Sequence, residues 1–574
     1  MSAAAWFLLL VPLWPGILAL TFHRRMPRWP LAMTGALPAL AVGLYPPTSG
    51  EVYYAWLLLG TRLGVGEADA LFLLFTALVW LVAAGFAHVW IRAPGRERFF
   101  VFFLFAMAGN LGALVAQDMP SFYACFALMS FSAYGLIVHK ESEKARHAAR
   151  VYIVLVLIGE AVLVLAMILA AGALGVTDFA AVREGLGALP TRHLIIALAV
   201  FGFGIKAGAP ILHVWLPLAH PVAPAPASAV LSGTMIVTGL VGWLRFLPVG
   251  ELALPVWGGA FIVVGLVAAF YGAFVGLDQR DPKVVLAYSS VSQMGIMTVG
   301  VGTILLEPTV AVSVSLAIAF FALHHGLAKS SLFLGAGLAK TRLSADGRRS
   351  LLLGLAVPSL ALAGAPLTSG MLAKSALVAS DAALPEGWTS LLRVALPLTS
   401  VATALLMVRF LALVYRGPVD AGPGSDRAPW MFWGVSLALV VFLPWWLRPT
   451  DLARSTAQSA VESLWPLAVA LVLALVAIWV WRRAGRPVIP AIPEGDVVLP
   501  LERAFVTTGH ALFSGSQWVS AWRDRADQIA GTVRRRAWAL IQLTSHTEAW
   551  LNRWQVALAL AMLLGVFVAL LASR

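Results

Sequence analysis

Apolar stretches long enough to cross a bilayer follow one another along almost the whole chain, and no other feature constrains its fold as tightly. A helical crossing needs about 20 predominantly apolar residues. Such stretches lie at roughly 4–22, 31–46, 70–91, 99–117, 121–138, 151–173, 193–217, 224–247, 255–277, 283–303, 308–339, 351–383, 388–415, 431–447, 463–481 and 555–572. In hydrocarbon every backbone amide must be bonded within the protein, so the spans are expected to be helices. The expected fold is an all-α polytopic membrane protein with about 14–16 transmembrane helices. Several stretches exceed one straight crossing and are expected to be kinked or broken. With 60% hydrophobic and only 12% charged residues, the composition agrees.

The loops test the count. Basic clusters follow the first span (Arg24, Arg25, Arg28), the third (Arg92, Arg96, Arg98), the fifth (Lys140, Lys144, Arg146, Arg150), the ninth (Arg280, Lys283), the eleventh (Lys340, Arg342, Arg348, Arg349) and the fifteenth (Arg482, Arg483, Arg486). The loops between are poorer in charge or acidic, with Glu51, Asp118, Glu251, Glu307, Asp381 and Glu386. This parity predicts odd-numbered loops in the cytoplasm and the N-terminus outside. It also accounts for the net charge of +13 without a nucleic-acid partner. The apolar stretch 3–20 lacks a basic leader and is expected to be a retained first span. The single cysteine, Cys125, excludes an internal disulfide framework or a cysteine metal site. No Walker loop and no Cys/His ligand spacing is present, so no catalytic centre, cofactor or metal site is expected on this chain. Residues 496–552 turn polar and basic, with Arg523, Arg525, Arg534, Arg535 and Arg536 beside Trp518, Trp522 and Trp538. They read as an amphipathic helix on the cytoplasmic membrane face, or a brace for neighbouring subunits, before a last span at 555–572.

The chemistry concentrates in residues 201–239. Lys206 lies well inside its span, Pro210 follows, and Pro217, Pro221, Pro224 and Pro226 break the helix. A lysine in an apolar span is expensive and usually faces a bundle interior or water, the alternative being a side chain that snorkels to the interface. Broken backbone at membrane depth is tolerated only where protein or water satisfies it. An echo follows: Ala207-Gly208-Ala209-Pro210 beside Lys206, and Ala363-Gly364-Ala365-Pro366 ahead of Lys374. These fall in the seventh and twelfth spans, which run in opposite directions, as an inverted repeat with a midplane site requires.

The motifs here resemble a known family. They are Lys206 with HVWLPLAHPVAPAPASAVLSG (213–233), DPKVVLAYSSVSQ (281–293), HHGLAK (324–329) running into SLFLGAG, and Pro366 through Gly370 to Lys374. In this order and spacing they resemble the antiporter-like subunits shared by respiratory complex I, the Mrp sodium/proton antiporters and the group-4 membrane-bound hydrogenases. The likeness covers roughly residues 100–415 and leans towards the hydrogenase-associated and Mrp-like branch. It implies two inverted five-helix repeats, at 99–247 and 255–415. Helices at 1–98 precede them and further spans at 431–481 follow. It also implies a row of mid-membrane charges that carries protons, in an energy-coupling membrane such as the bacterial inner membrane.

Two family charges are missing. The glutamate expected in the fifth span falls on Ala127, and the lysine of the eighth span falls on Val237. Glu160, about nine residues or roughly 13 Å from the cytoplasmic end of the sixth span, lies at a similar depth to Ala127. It is expected to take over the carboxylate's place beside Lys206; the alternative is a structural glutamate bonded to a neighbouring helix. The expected proton path is Glu160, Lys206, His324, His325, Lys329 and Lys374, since imidazole titrates near neutral pH; His324 and His325 as satisfied core histidines is the alternative. Secondary candidates are Asp281 and Lys283, as an entry site or a helix cap at the mouth of the tenth span, and Arg409, a buried cation. His213 and His220, near the outer end of the broken seventh span, complete them. The resemblance implies a proton-translocating (or cation/proton-exchanging, with sodium the alternative) subunit among other membrane subunits. Two further readings are a coupling subunit that energises a peripheral zinc protein like carbonic anhydrase for inorganic-carbon uptake, and a structural subunit of a redox-driven complex.

Overall fold

The computed structural model describes residues 3–21, 29–47, 50–58, 60–92, 94–341, 343–378, 383–417, 427–447, 456–484 and 492–495; the amphipathic stretch at 496–552 and the span at 555–572 lie outside them. The membrane body is Met1–Tyr54 with Thr61–Glu494.

Helices follow in the order that hydropathy dictates. α1 (Ala3–Thr21) leads through a tight 3₁₀ turn (Trp29–Ala36) to α2 (Leu37–Leu44). A two-stranded antiparallel hairpin, β1 (Val52–Tyr54) and β2 (Thr61–Leu63), pairs Tyr53 with Arg62. Then come α3 (Glu67–Trp90), α4 (Arg96–Val115), α5 (Met119–Ile137), α6 (Glu143–Leu174), the short α7 (Phe179–Leu186) and α8 (Arg192–Ala207). Beyond a break stand α9 (Trp215–Val222), α10 (Ala225–Val230) and α11 (Val237–Phe246), the last two joined by a π turn at Leu231–Met235. α12 (Pro255–Asp278), α13 (Pro282–Leu306) and α14 (Ala311–Leu338) are continuous. α15 (Ala345–Ala363) and α16 (Ser369–Val378) are two halves of one broken span. α17 (Glu386–Tyr415), α18 (Arg427–Trp446), α19 (Thr456–Glu462) and α20 (Leu464–Ala484) complete the described chain. Among the described residues, twelve helices are long and apolar enough to cross a membrane, and two shorter apolar helices lie near the N-terminus.

Small residues set how closely the helices approach. α13 is buried along its whole length, and α12 lies against it antiparallel. Gly258 faces Gly302, Gly265 faces Gly295 and Gly272 faces the Tyr288 carbonyl; a Cβ on Gly265 would stand 2.6 Å from the Gly295 oxygen. Glycine every seventh residue leaves one bare seam on α12. In lipid, where apolar side chains gain little by leaving their surroundings, such seams permit the packing that drives association.

The hairpin, absent from the hydropathy pattern, is pinned at the end where α5 begins. Asp118 caps α5 through Ser121 N at 2.8 Å and also accepts the Arg62 amide at 2.7 Å. Nearby, the buried Arg245 guanidinium donates to the Ala113 carbonyl at 2.7 Å and pairs with Asp69 at 2.9 Å. A cation there neutralises the exposed carbonyl end of α4.

Candidate functional site

The first break is built by four residues. Gly208 ends α8 at φ +70°, where a Cβ would be strained, and Ala209 N returns to Gly204 O at 2.9 Å. Pro210 has no amide to give, and Ile211 sits at φ +72°. The Ile205 carbonyl takes the Trp215 indole N–H at 2.8 Å, so the broken helix is re-bonded from within the protein.

Lys206 lies immediately ahead of this break and is 3% exposed. Its Nζ donates to Tyr152 Oη at 3.0 Å, and Tyr152 donates to the Ser130 carbonyl at 2.9 Å. The rings of Phe126, Tyr152 and Trp215 surround the ammonium at 5.8, 5.3 and 5.8 Å, within cation–π range. α6 reaches the site because Gly159 and Gly202 let it close on α8; a Cβ on Gly202 would lie 3.1 Å from the Gly159 oxygen. The next residue, Glu160, is 5% exposed, and its charge and that of Lys206 act on each other. Neither carboxylate oxygen has a well-formed hydrogen bond to protein, and the Ser130 side chain faces it. The two groups therefore form a buried opposite-charge couple beside a tyrosine. Phe126 and Ser130, the residues of α5 that flank Ala127 and Met129, border the same space.

A second group of residues lies on α13, α14 and the π turn. Lys329 is fully buried, and its Nζ donates to Leu286 O at 2.8 Å and to Ser289 Oγ. Gly233 and Gly326 bring the π turn onto α14: a Cβ on Gly326 would stand 2.6 Å from Gly233 O. Ser232 and Ser290 share a 2.7 Å hydrogen bond. His325 is buried beside the Ser232 backbone. His324 turns the other way, its Nδ1 2.8 Å from Ser369 Oγ at the start of α16. The histidine pair thus lies between the π turn and the second broken span, although Lys206, Lys329 and Lys374 are not bonded to one another.

The second break repeats the first. Gly364 ends α15 at φ +79°, Ala365 N returns to Leu360 O at 3.0 Å, and Leu367 sits at φ +60°. Lys374 is part-buried; its Nζ reaches Ser400 Oγ at 2.8 Å and Ala363 O at 3.4 Å.

Of the five secondary candidates, His213, His220 and Arg409 need correction. His213 and His220 do not lie near the outer end of their span. α9 continues past the break, and the His220 carbonyl accepts from Ser228 Oγ, which also takes Lys283 Nζ at 3.3 Å, at the basic end of the bundle. His220 stacks on Phe333 at 4.5 Å, and His213 lies between Tyr271 and Tyr288. Lys283 is turned inward, 3% exposed, with Nζ 2.7 Å from Ala223 O. Asp281 caps α13 through Lys283 N and pairs with Lys340 at 3.1 Å. Arg409 is only part-buried and binds the Gln279 carbonyl at the end of α12, at 2.8 and 3.1 Å.

Sequence reasoning missed Tyr152, Ser130, Ser369 and Ser400, polar residues whose types carry no signal in an apolar span. At the position of the absent eighth-span lysine, the neighbour of Val237, Thr238, accepts from Asn110 at 2.7 Å, and Asn110 accepts from Trp80 at 2.8 Å. A neutral network stands there. Among the described residues no group of three or more His, Cys, Asp or Glu is placed to hold a metal ion.

Residues 116–399 match the family described as NADH:quinone oxidoreductase/Mrp antiporter, TM. Through this segment, just under half of its length, the chain is similar to the antiporter-like membrane subunits. It is 33% identical over 251 residues to Hydrogenase-4 component B of Escherichia coli (strain K12), covering 42% of this chain and 37% of that protein. It is 29% identical over 548 residues to NADH-quinone oxidoreductase subunit L of Mycobacterium tuberculosis, covering 85% and 83%. A solved chain of the Mrp complex from Dietzia sp. DQ12-45-1b shares the fold at TM-score 0.76 and 21% identity, over 94% of this chain and 63% of that one.

Proposed function

We propose that this chain is a proton-translocating subunit of a multi-subunit membrane complex, with proton-for-cation exchange the form it takes in an Mrp-like assembly. The observation that carries the reading is the Glu160–Lys206 couple, enclosed by aromatic rings at a helix break and joined to Tyr152. Burial penalises the ammonium and the neighbouring carboxylate stabilises it. Moving the carboxylate away, or screening it with water, releases the lysine's proton. The histidine pair, with its bond from His324 to Ser369, is the connection through which Lys329 and Lys374 join the path. In this reading residues 99–247 and 255–415 are the two inverted halves. Glu160 replaces the carboxylate missing at Ala127, the N-terminus is outside, and the basic end that holds Asp281 and Lys340 faces the cytoplasm. The relatives named for NADH-quinone oxidoreductase, hydrogenase-4 and the Mrp complex support partners that are other membrane subunits.

Proton movement into everted vesicles carrying the complex, followed with a pH-sensitive dye, tests it. Glu160→Gln and Lys206→Ala should each abolish the signal, and Glu160→Asp should retain part of it. If Glu160→Gln transported normally while Lys206→Ala did not, the carboxylate assignment would be wrong. Normal transport by both would remove the proposal.

A further inference from the structure

The second break faces a cavity that the path above does not use. It has a volume of about 120 Å³, several times the room one water needs. Its polar lining is Lys374, Ser375, Thr399 and Ser400 from α16 and α17, and Ser459, Glu462 and Ser463 from further along the chain. The second set comes from α19 and the residue after it, beyond the segment that defines the family. One observation fixes this extension against the break. Ala470 and Leu467 of α20 pack in one cluster with Ala363, the last residue of α15, and with Val401 and Ala404 of α17. Within α19, Gln458 Nε2 donates to Glu462 Oε1 at 3.0 Å, one helical turn away.

We propose that Glu462 is the carboxylate partner of Lys374, and that the two line a water-filled port through which the second break exchanges protons with the bulk at the end of the bundle opposite Asp281 and Lys340. The inference rests on the transport reading above. A proton leaving the Lys374 ammonium passes through water to a Glu462 oxygen and from there to solvent; the return journey reverses each step, so charge and protons balance. The first break takes its carboxylate from α6, and the second takes one from outside the family segment. Glu462 lines the cavity and is exposed, which suits an exchange group better than a structural ion pair.

Two readouts separate the port from the transport reading. The first is thiol chemistry on the complex in sealed vesicles, in a Cys125→Ala background that leaves no other cysteine in this chain. Ser463→Cys should react with membrane-impermeant methanethiosulfonates from the face opposite to that which labels Arg349→Cys, an exposed position on α15. It should react several-fold faster with a cationic than an anionic reagent, and Glu462→Gln should erase that preference. An unreactive Ser463→Cys beside a labelled Arg349→Cys, or a preference unchanged by Glu462→Gln, overturns the port whatever the transport result. The second readout is proton transport: Glu462→Gln should lower it about tenfold and Glu462→Asp restore most of it. Wild-type rates in Glu462→Gln, with Lys374→Ala inactive, overturn the carboxylate's role. Absence of transport in the unmodified complex removes the transport reading and leaves the labelling to decide the port.

Discussion

The two helix breaks share a backbone and differ in chemistry. Ala207–Pro210 and Ala363–Pro366 end their helices with glycine at φ +70° and +79°, and each places a β-carbon-bearing residue at positive φ three positions later. The closing amide bonds match: Ala209 N to Gly204 O at 2.9 Å, Ala365 N to Leu360 O at 3.0 Å. Yet Lys206 stands before its break and Lys374 after. Lys206 lies in an aromatic cage beside a carboxylate from α6. Lys374 folds back along α16 so that its ammonium meets Ala363 O, one residue past the counterpart of Lys206. The side chain passes over Gly364, whose absent Cβ would stand 3.2 Å from Lys374 Cδ. The difference teaches that the repeated element is the opened backbone. The charge reaches it from whichever half-helix supplies a side chain of the right length.

The largest expected effect tests that asymmetry. Lys206→Ala should reduce proton transport by about a hundredfold, the scale of losing a positioned acid–base group. Lys374→Ala should cost less, about tenfold, because cavity water can stand in for a part-buried ammonium more readily than for one in a sealed cage. A greater loss at Lys374, measured by initial dye response in vesicles, would reverse the ranking of the two breaks.

Next comes the backbone itself. Gly208→Ala and Gly364→Ala each force a Cβ into the left-handed region, at about 1–2 kcal/mol. Gly208→Ala also meets Leu216 Cδ1 at 2.7 Å, so its melting point in detergent should fall further. At Gly364 the added methyl meets the Lys374 side chain at 3.2 to 3.6 Å, a tight but yielding contact. Gly364→Ala should therefore impair transport more than stability, and Gly208→Ala the reverse. Equal effects in both assays would mean that Lys374 does not depend on the room Gly364 leaves.

Much of this arrangement was legible in the chain. Spans, breaks and the Ala-Gly-Ala-Pro echo follow from hydropathy and proline chemistry, which act locally. Glu160 was legible because a carboxylate in an apolar span has few uses. The cage was not, because Tyr152 and Trp215 read as ordinary apolar-span residues until helix packing turns them to one point. His213 and His220 were misplaced because a proline-rich stretch gives no sign of the direction in which the chain resumes. Glu462 was hidden for the opposite reason: in a short, polar segment a glutamate carries no signal, and only the packing of α20 on Ala363 brings it to the break.

A smaller effect asks whether the positive-φ residues after the two prolines are held by strain. Ile211 is 63% exposed and Leu367 65%, so replacing either by glycine removes little protein packing. Relief of the left-handed penalty of about 1–2 kcal/mol exceeds the backbone entropy glycine adds, about 0.5–1 kcal/mol. Both variants should gain stability by less than about 1 kcal/mol, and by similar amounts. A gain at one break and a loss at the other would show that the two backbones are alike in angle only.

The smallest effect lies away from both breaks and serves as their control. Burial pushes the Asp118 carboxyl above the ordinary aspartate range, against the pull of the Arg62 and Ser121 amides that bond it. A raised folded-state value favours the protonated form. That contribution to stability is fully present below the unfolded aspartate value of about 3.9 and is lost as pH rises through the folded value. Asp118→Asn keeps an oxygen for the cap and cannot titrate. Its melting temperature in detergent should therefore fall less than that of the unmodified chain as pH is raised through the acid range, while transport stays unchanged. An altered transport rate would tie this end of the bundle to the proton path, and the comparison of the two breaks would then need a third member.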